Sequence, residues 1–123
     1  MPKTTVLVTG ATGYIASHTI VEVTQRSINF RTIDLRDYKA LDKLFSEYSI
    51  QSVMHFAGYK AVGESMENPM LYYSNNIKAS INLIEVMQKH EVKNLVFSSS
   101  CTVYGDAEAC PITEQSECKP KSP

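Results

Sequence analysis

Short apolar runs alternate along this chain with longer stretches in which apolar positions recur at helical spacing. Thr5-Val6-Leu7-Val8-Thr9 is β-branched and apolar and stops at Gly10, the pattern of a strand buried within a parallel sheet. From Tyr14 to about Arg26, Ile15, Thr19, Ile20 and Val23 fall on one side, which predicts a helix against the weak propensity of its β-branched residues. Ile28 to Ile33 reads as a second strand. Asp37 is a suitable N-cap for a helix in which Ala40, Leu41, Leu44, Phe45 and Tyr48 follow the i, i+3, i+4, i+7 pattern. Ser52 to Phe56 reads as a third strand and Asn94 to Ser98 as a fourth. Between them, Asn68-Pro69 supplies a cap and a proline at the first helical position. A long helix then carries Ile77, Ile81, Ile84 and Met87 towards His90 as a core stripe. The tail, with Pro111, Pro120 and Pro123 and no periodicity, reads as loop from about residue 107.

Strands alternating with helices in this order imply a parallel sheet covered on both faces, an α/β, Rossmann-like three-layer sandwich. At 123 residues and 43% hydrophobic content, one domain with one core is expected. A net charge of -1 provides no basic field for a polyanion, so nucleic acid is not an expected partner. No apolar run approaches the roughly 20 residues that span a bilayer, and the start lacks a signal-peptide core, so a cytoplasmic protein without membrane attachment is expected. Cys101, Cys110 and Cys118 are odd in number and lack C-x-x-C spacing, which predicts free thiols. The histidines have no metal-ligand spacing, and no metal site is expected. His55, in a strand, reads as a satisfied core histidine and His18 as a packing or surface group.

The most informative stretch lies between the first strand and first helix. In Gly10-Ala11-Thr12-Gly13-Tyr14-Ile15-Ala16, small residues recur at three-residue intervals where a dinucleotide diphosphate would sit. Gly10 permits a tight turn, Gly13 lets backbone approach phosphate without an intervening side chain, and Ala16 allows close packing of helix on strand. The helix N-terminus then offers N–H groups and a positive dipole end to the anion. By spacing alone Asp34, about 20 residues past the turn, is a candidate acid for the ribose.

Thr9-Gly10-Ala11-Thr12-Gly13-Tyr14-Ile15 with Ser17-His18-Thr19, then His55 to Ser65 (HFAGYKAVGES), Tyr72-Tyr73-Ser74-Asn75-Asn76 and Val96 to Asp106 (VFSSSCTVYGD) resemble the UDP-glucose 4-epimerases in order and spacing. The glycine turn and triple serine are shared across the extended short-chain dehydrogenases/reductases, the NAD-dependent epimerase/dehydratase family. Lys60-Ala61-Val62-Gly63-Glu64-Ser65 is the narrower likeness. The resemblance implies NAD as cofactor, with Tyr14 and Ile15 beside its diphosphate. Phe56, Ala57, Gly58 and Lys60 would lie along it, and Asn75 near it. It implies a UDP-sugar substrate, a homodimer of the complete enzyme, and a catalytic Ser100 that hydrogen-bonds the reacting sugar oxygen. A Tyr would take the O4 proton, with a Lys lowering its pKa. The resemblance moves Asp34 and its neighbour Leu35 from the ribose to the adenine, the assignment we favour over simple spacing.

The chain departs from the family's pattern in three places, the mildest being Ala16 where the family has a third glycine, a change that a helix-packing position accepts. The family's Tyr-x-x-x-Lys pair follows a Ser-Pro, and this sequence ends at Ser122-Pro123, with no tyrosine followed four residues later by lysine. The expected reading is a partial NAD-binding domain over 1–123, inactive by itself. Near Ser27, roughly two to three dozen residues carrying a strand and its ribose-binding acid are missing relative to the family. Two alternatives stay open: another nucleotide-sugar enzyme, such as a dehydratase or decarboxylase, and a non-catalytic nucleotide-binding or remnant module. The absence of a carboxylate between Ser100 and Asp106 argues against the dehydratase.

Overall fold

The computed structural model describes residues 4–23, 28–106 and 110–123. Three parallel strands, β1 (Thr5–Thr9), β2 (Ile50–His55) and β3 (Asn94–Phe97), form a sheet in the order β1-β2-β3. Val53 of β2 faces Leu7 of β1 and Leu95 of β3, and Thr9 and Phe97 flank His55 at the C-terminal rim. The helices are α1 (Tyr14–Val23), α2 (Tyr38–Glu47), α3 (Val62–Glu67), α4 (Pro69–Tyr72) and α5 (Ala79–Lys89), with a π-helical stretch, Tyr73–Lys78, joining α4 to α5. This is the expected α/β Rossmann-like arrangement, with an incomplete sheet.

The core sits where α2 and α5 cover one face of the sheet. Leu41, Leu44 and Phe45 of α2 meet Leu83, Val86 and Met87 of α5 over Val53. Local chemistry fixes both helices. The Asp37 carboxylate accepts from Ala40 N at 3.0 Å and caps α2, a contact worth about 1 kcal/mol. At the end of α5, Glu91 takes a left-handed conformation (φ 58). Val92 N then donates to Met87 O and Glu91 N to Gln88 O, closing the helix while Val92 folds into the core. Asp42 of α2 binds both Lys89 Nζ and His90 Nε2 at 2.7 Å, which ties the C-terminal end of α5 to α2.

Two expectations are corrected. Ile28 to Ile33 is irregular rather than a strand: residues 28–32 are exposed and take no place in the sheet, so the outer edge of β1 has no strand partner among the described residues. β-prone composition does not by itself make a strand, because what it favours is packing on a pleated, half-buried surface. Here Arg31 instead donates to Phe30 O and to the Tyr48 hydroxyl, and its guanidinium lies over the Tyr48 ring. Ile33 and Leu35 turn onto the α2/α5 core. The second correction concerns the long helix, which is present but interrupted by the π-helical stretch. Of its expected core stripe, Ile77, Ile81 and Ile84 are exposed and Met87 is buried, together with Ala79, Leu83 and Val86. The last part of the first helix, residues 24–26, lies outside the described residues, as do residues 107–109 of the tail; the tail's described remainder, 110–123, has neither helix nor strand.

The two faces of α5 separate in a stability measurement. Leu83, 0% exposed, replaced by Ala is expected to cost about 2–5 kcal/mol in urea unfolding. Ile81, 49% exposed, replaced by Ala is expected to change stability by less than about 1 kcal/mol.

Candidate functional site at the C-terminal rim of the sheet

β1 delivers Thr9 and Gly10 to the rim beside the end of β2. Gly10 has φ +67, and a Cβ there would lie 2.7 Å from Ala57 N and 2.9 Å from Phe56 C. Only glycine meets both demands, the left-handed backbone and the close approach of the loop after β2. Gly13 N donates to Gly10 O at 2.8 Å, which closes the turn, and Ser17 N donates to Gly13 O at 3.0 Å as α1 begins. The first-turn amides of Tyr14 and Ile15 have no carbonyl four residues back inside α1. Their side chains turn outward, 79% and 58% exposed, with the Tyr14 ring edge-on to His18. No side chain of this pair shields the turn, and Ala16 is buried, as its packing role requires.

A chain of hydrogen bonds fixes the loop opposite. The Thr9 hydroxyl oxygen accepts from Phe56 N and Ala57 N, both at 3.2 Å. It also lies 2.6 Å from His55 Nδ1, while His55 Nε2 lies 2.9 Å from Ser80 Oγ. Ser80 donates its proton to Asn76 O at 2.6 Å, so it accepts from His55, which must carry its proton on Nε2. Nδ1 is then an acceptor for the Thr9 hydroxyl. A second ring proton would face an oxygen already accepting two N–H groups, and burial pushes the His55 pKa down. The expected core histidine is therefore neutral and fully bonded, 2% exposed.

Other expected site residues gather at the same rim. Asn76 Oδ1 accepts from Tyr59 N at 2.8 Å and its Nδ2 donates to Tyr59 O at 2.9 Å, and Asn75 Nδ2 donates to Asn76 Oδ1 at 3.1 Å. A Cβ on Gly58 would lie 3.5 Å from Asn76 Oδ1. Phe56, Ala57, Gly58, Lys60 and Asn75 thus share one loop–helix junction with Gly10, and Lys60 is exposed on it. Glu64 and buried Tyr72 brace that loop through a 2.6 Å hydrogen bond, which pushes the Tyr72 pKa up. Ser98 N donates to His55 O at 3.0 Å, so β3 delivers its serines to the rim. Ser100 caps the 3-10 helix Cys101–Tyr104, accepts from Thr102 N at 3.2 Å and lies 2.7 Å from Thr102 Oγ1. Asp34 and Leu35 lie in the turn into α2, where Asp37 N donates to Asp34 O. There the Arg36 side chain hydrogen-bonds the Asp34 carboxylate and lowers its pKa to about 2.

Sequence reading passed over Thr9, Asn76, Ser80 and Asn82 as bonding groups. A threonine directly before a glycine turn is the one local signal for the first; Asn76 and Asn82 act on backbone distant in sequence, and Ser80 joins the Asn76 carbonyl one turn back to the distant His55 ring. Cys101, Cys110 and Cys118 are free and exposed, as expected. Among the described residues no cluster of metal-ligating side chains occurs, and no helix is long and apolar enough to cross a membrane.

Residues 6–123 match the model of the NAD dependent epimerase/dehydratase family. The chain is 43% identical over 136 residues to the UDP-glucose 4-epimerase of Dictyostelium discoideum, covering 89% of this chain and 40% of that protein. It is 42% identical over 142 residues to the human UDP-glucose 4-epimerase, covering 89% and 41%. The crystal structure of the Bifidobacterium longum UDP-glucose 4-epimerase in complex with NAD+ and UDP superposes with a TM-score of 0.89 at 38% identity, over 94% of this chain and 43% of that one. A Brucella ovis UDP-glucose 4-epimerase in complex with NAD gives a TM-score of 0.90 at 31% identity, over 98% and 43%. The chain therefore spans about two fifths of the length of these relatives.

The neutral His55 has a signature in pH. Its pKa is lower folded than unfolded, so the unfolded chain binds the extra proton first. The contribution is complete above about pH 6.5, the unfolded value, and is lost as pH falls below it. Thermal melts from pH 7.5 to 5.5 are expected to show falling stability in the parent chain and a flatter profile in His55→Gln.

Proposed function

The chain belongs to the NAD dependent epimerase/dehydratase family, and from that membership we propose that residues 1–123 form the cofactor-holding part of a UDP-glucose 4-epimerase, an isomerase that interconverts UDP-galactose and UDP-glucose. The observation that carries this reading is the glycine turn, where a backbone free of bulky side chains meets the loop after β2 at the rim of a parallel sheet. In open α/β sheets ligands bind in the crevice outside the carboxyl ends of the strands, which is where Gly10, Ala57 and Ser98 come together.

The residues present suit NAD. Gly10 and Gly13 leave the turn open, and the Tyr14 and Ile15 amides with the N-terminal end of α1 supply donors and positive potential for a diphosphate. Phe56, Ala57, Gly58, Lys60 and Asn75 would border the cofactor, with the Lys60 ammonium on the open side of the loop. Asp34 and Leu35 would meet its adenine end. When bound, NAD supplies a reversible acceptor for hydride from C4 of the sugar, so the reaction has no net redox change.

Ser100 would orient the reacting sugar oxygen: its Oγ accepts from Thr102 N, which fixes the oxygen, and when Thr102 Oγ1 is the donor in the 2.7 Å bond between the two hydroxyls, the Ser100 proton is left to donate outward. Proton removal from O4 falls to a tyrosine activated by a lysine, a Tyr-x-x-x-Lys pair these 123 residues do not contain. Such a group contributes roughly 10²- to 10⁴-fold to rate. A homodimer of the complete enzyme, in the cytoplasm, completes the proposal. The exposed stripe Ile77, Ile81 and Ile84 supports the pairing, since an apolar strip of this kind favours cover by protein.

Saturating NAD is expected to raise the unfolding free energy of the chain, by about 2.7 kcal/mol at a hundred times its dissociation constant. UDP-galactose incubated with NAD and the chain is expected to remain unconverted. No thermal shift with NAD would refute the cofactor reading, and conversion would refute the need for the absent pair.

A further inference from the structure

We propose that Asn82 is a positioning residue that sets the base selectivity of the cofactor site by holding the Asp34–Asp37 turn from across the α2/α5 interface. The inference rests on the reading of Asp34 and Leu35 as residues bordering the cofactor. Asn82 projects from α5 and its Nδ2 donates to two consecutive backbone carbonyls, Leu35 O at 3.0 Å and Arg36 O at 3.1 Å, 47 and 46 residues away in sequence. The neighbouring Leu83 is in the core, so the amide has a rigid base.

The turn that Asn82 grips is closed by its own bonds as well. Asp37 N donates to Asp34 O at 2.9 Å, and the Asp37 carboxylate caps α2. Arg36 N donates to Asp34 Oδ1 at 2.9 Å, and the Arg36 guanidinium donates to both Asp34 oxygens, the shortest contact being 2.6 Å from Nη2 to Oδ2. Asp34 is therefore held ionised in one orientation, with about half of its side chain open to solvent.

An ionised carboxylate only accepts hydrogen bonds. Fixed in place, it favours a base that presents an amine and disfavours one that presents a carbonyl oxygen, because two acceptors then face each other. Adenine presents the first and hypoxanthine the second. Fixing the carboxylate requires fixing Leu35 and Arg36, whose carbonyls Asn82 holds. Without that grip the turn keeps its local bonds but loses its registry against α5, and the carboxylate is free to follow either base.

The test measures binding of NAD and of nicotinamide hypoxanthine dinucleotide to the full 123-residue chain by calorimetry, for the parent, Asn82→Ala and Asn82→Ser. The parent is expected to prefer NAD by about tenfold or more, since a site built to accept from a ligand N–H rejects analogues that lack that donor. In Asn82→Ala the preference is expected to fall to less than about threefold, with Asn82→Ser between the two. Amide exchange at Arg36 and Asp37 is expected to quicken in both variants while that of Leu83 stays unchanged. A merely structural role would lower affinity for both dinucleotides together and leave their ratio intact, and that result overturns the proposal. Equal binding of the two dinucleotides by the parent also overturns it while leaving the cofactor site standing. Failure of the parent to bind either one overturns the cofactor reading, and this inference with it.

Discussion

The molecule depends on a close approach that a single missing methyl group permits. Gly10 brings the end of β1 against Phe56 and Ala57 at the end of β2, and Thr9 fastens the contact by accepting both of their amides. The parallel ladder aligns Thr9 with His55, so the hydroxyl reaches the imidazole as well as the loop. Buried polar groups are costly unless each is paired. Here Thr9, His55, Ser80 and the Asn76 carbonyl pair in one direction, which converts a polar liability into a rigid support for the rim.

The helical segment from Pro69 to Lys89 holds the site together from the other side. Its π-helical stretch carries Asn75 and Asn76 to the loop after β2, and α5 carries Asn82 to the turn before α2. The hydrophobic face of α5 anchors these contacts in the core. The Asn76 and Asn82 amides, on one segment, thus hold the two loops that the cofactor reading places beside the dinucleotide. π-helical stretches inside helices recur at functional sites, and this one has a specific task in the fold.

Much of the arrangement was legible because its signals are local. The Thr5–Thr9 strand, the glycine turn, the Asp37 cap and the α2 face each depend on a few adjacent residues, and each is found where the pattern placed it. Two features depend on more distant partners and were read wrongly. Ile28 to Ile33 has the composition of a strand, yet it leaves the outer edge of β1 without a strand partner and makes its contacts with the Tyr48 side chain and the α2/α5 core instead. The isoleucine stripe failed for a geometric reason. A helix with two apolar faces is ambiguous from spacing, and of Ile77, Ile81, Ile84 and Met87 only Met87 falls on the face that α5 buries with Ala79, Leu83 and Val86. Asn76 and Asn82 read as ordinary polar helix positions because the carbonyls they hold lie 17 and 46–47 residues away.

The proposed cofactor site rests on a glycine-turn backbone aimed at a diphosphate. Amide chemical shifts of the 15N-labelled chain, followed during titration with NAD, test it directly. The largest and earliest changes are expected on Gly10 to Ile15 and on Phe56 to Lys60. Changes confined to other parts of the chain, with the amides of Gly10 to Ile15 unmoved at saturation, would contradict it.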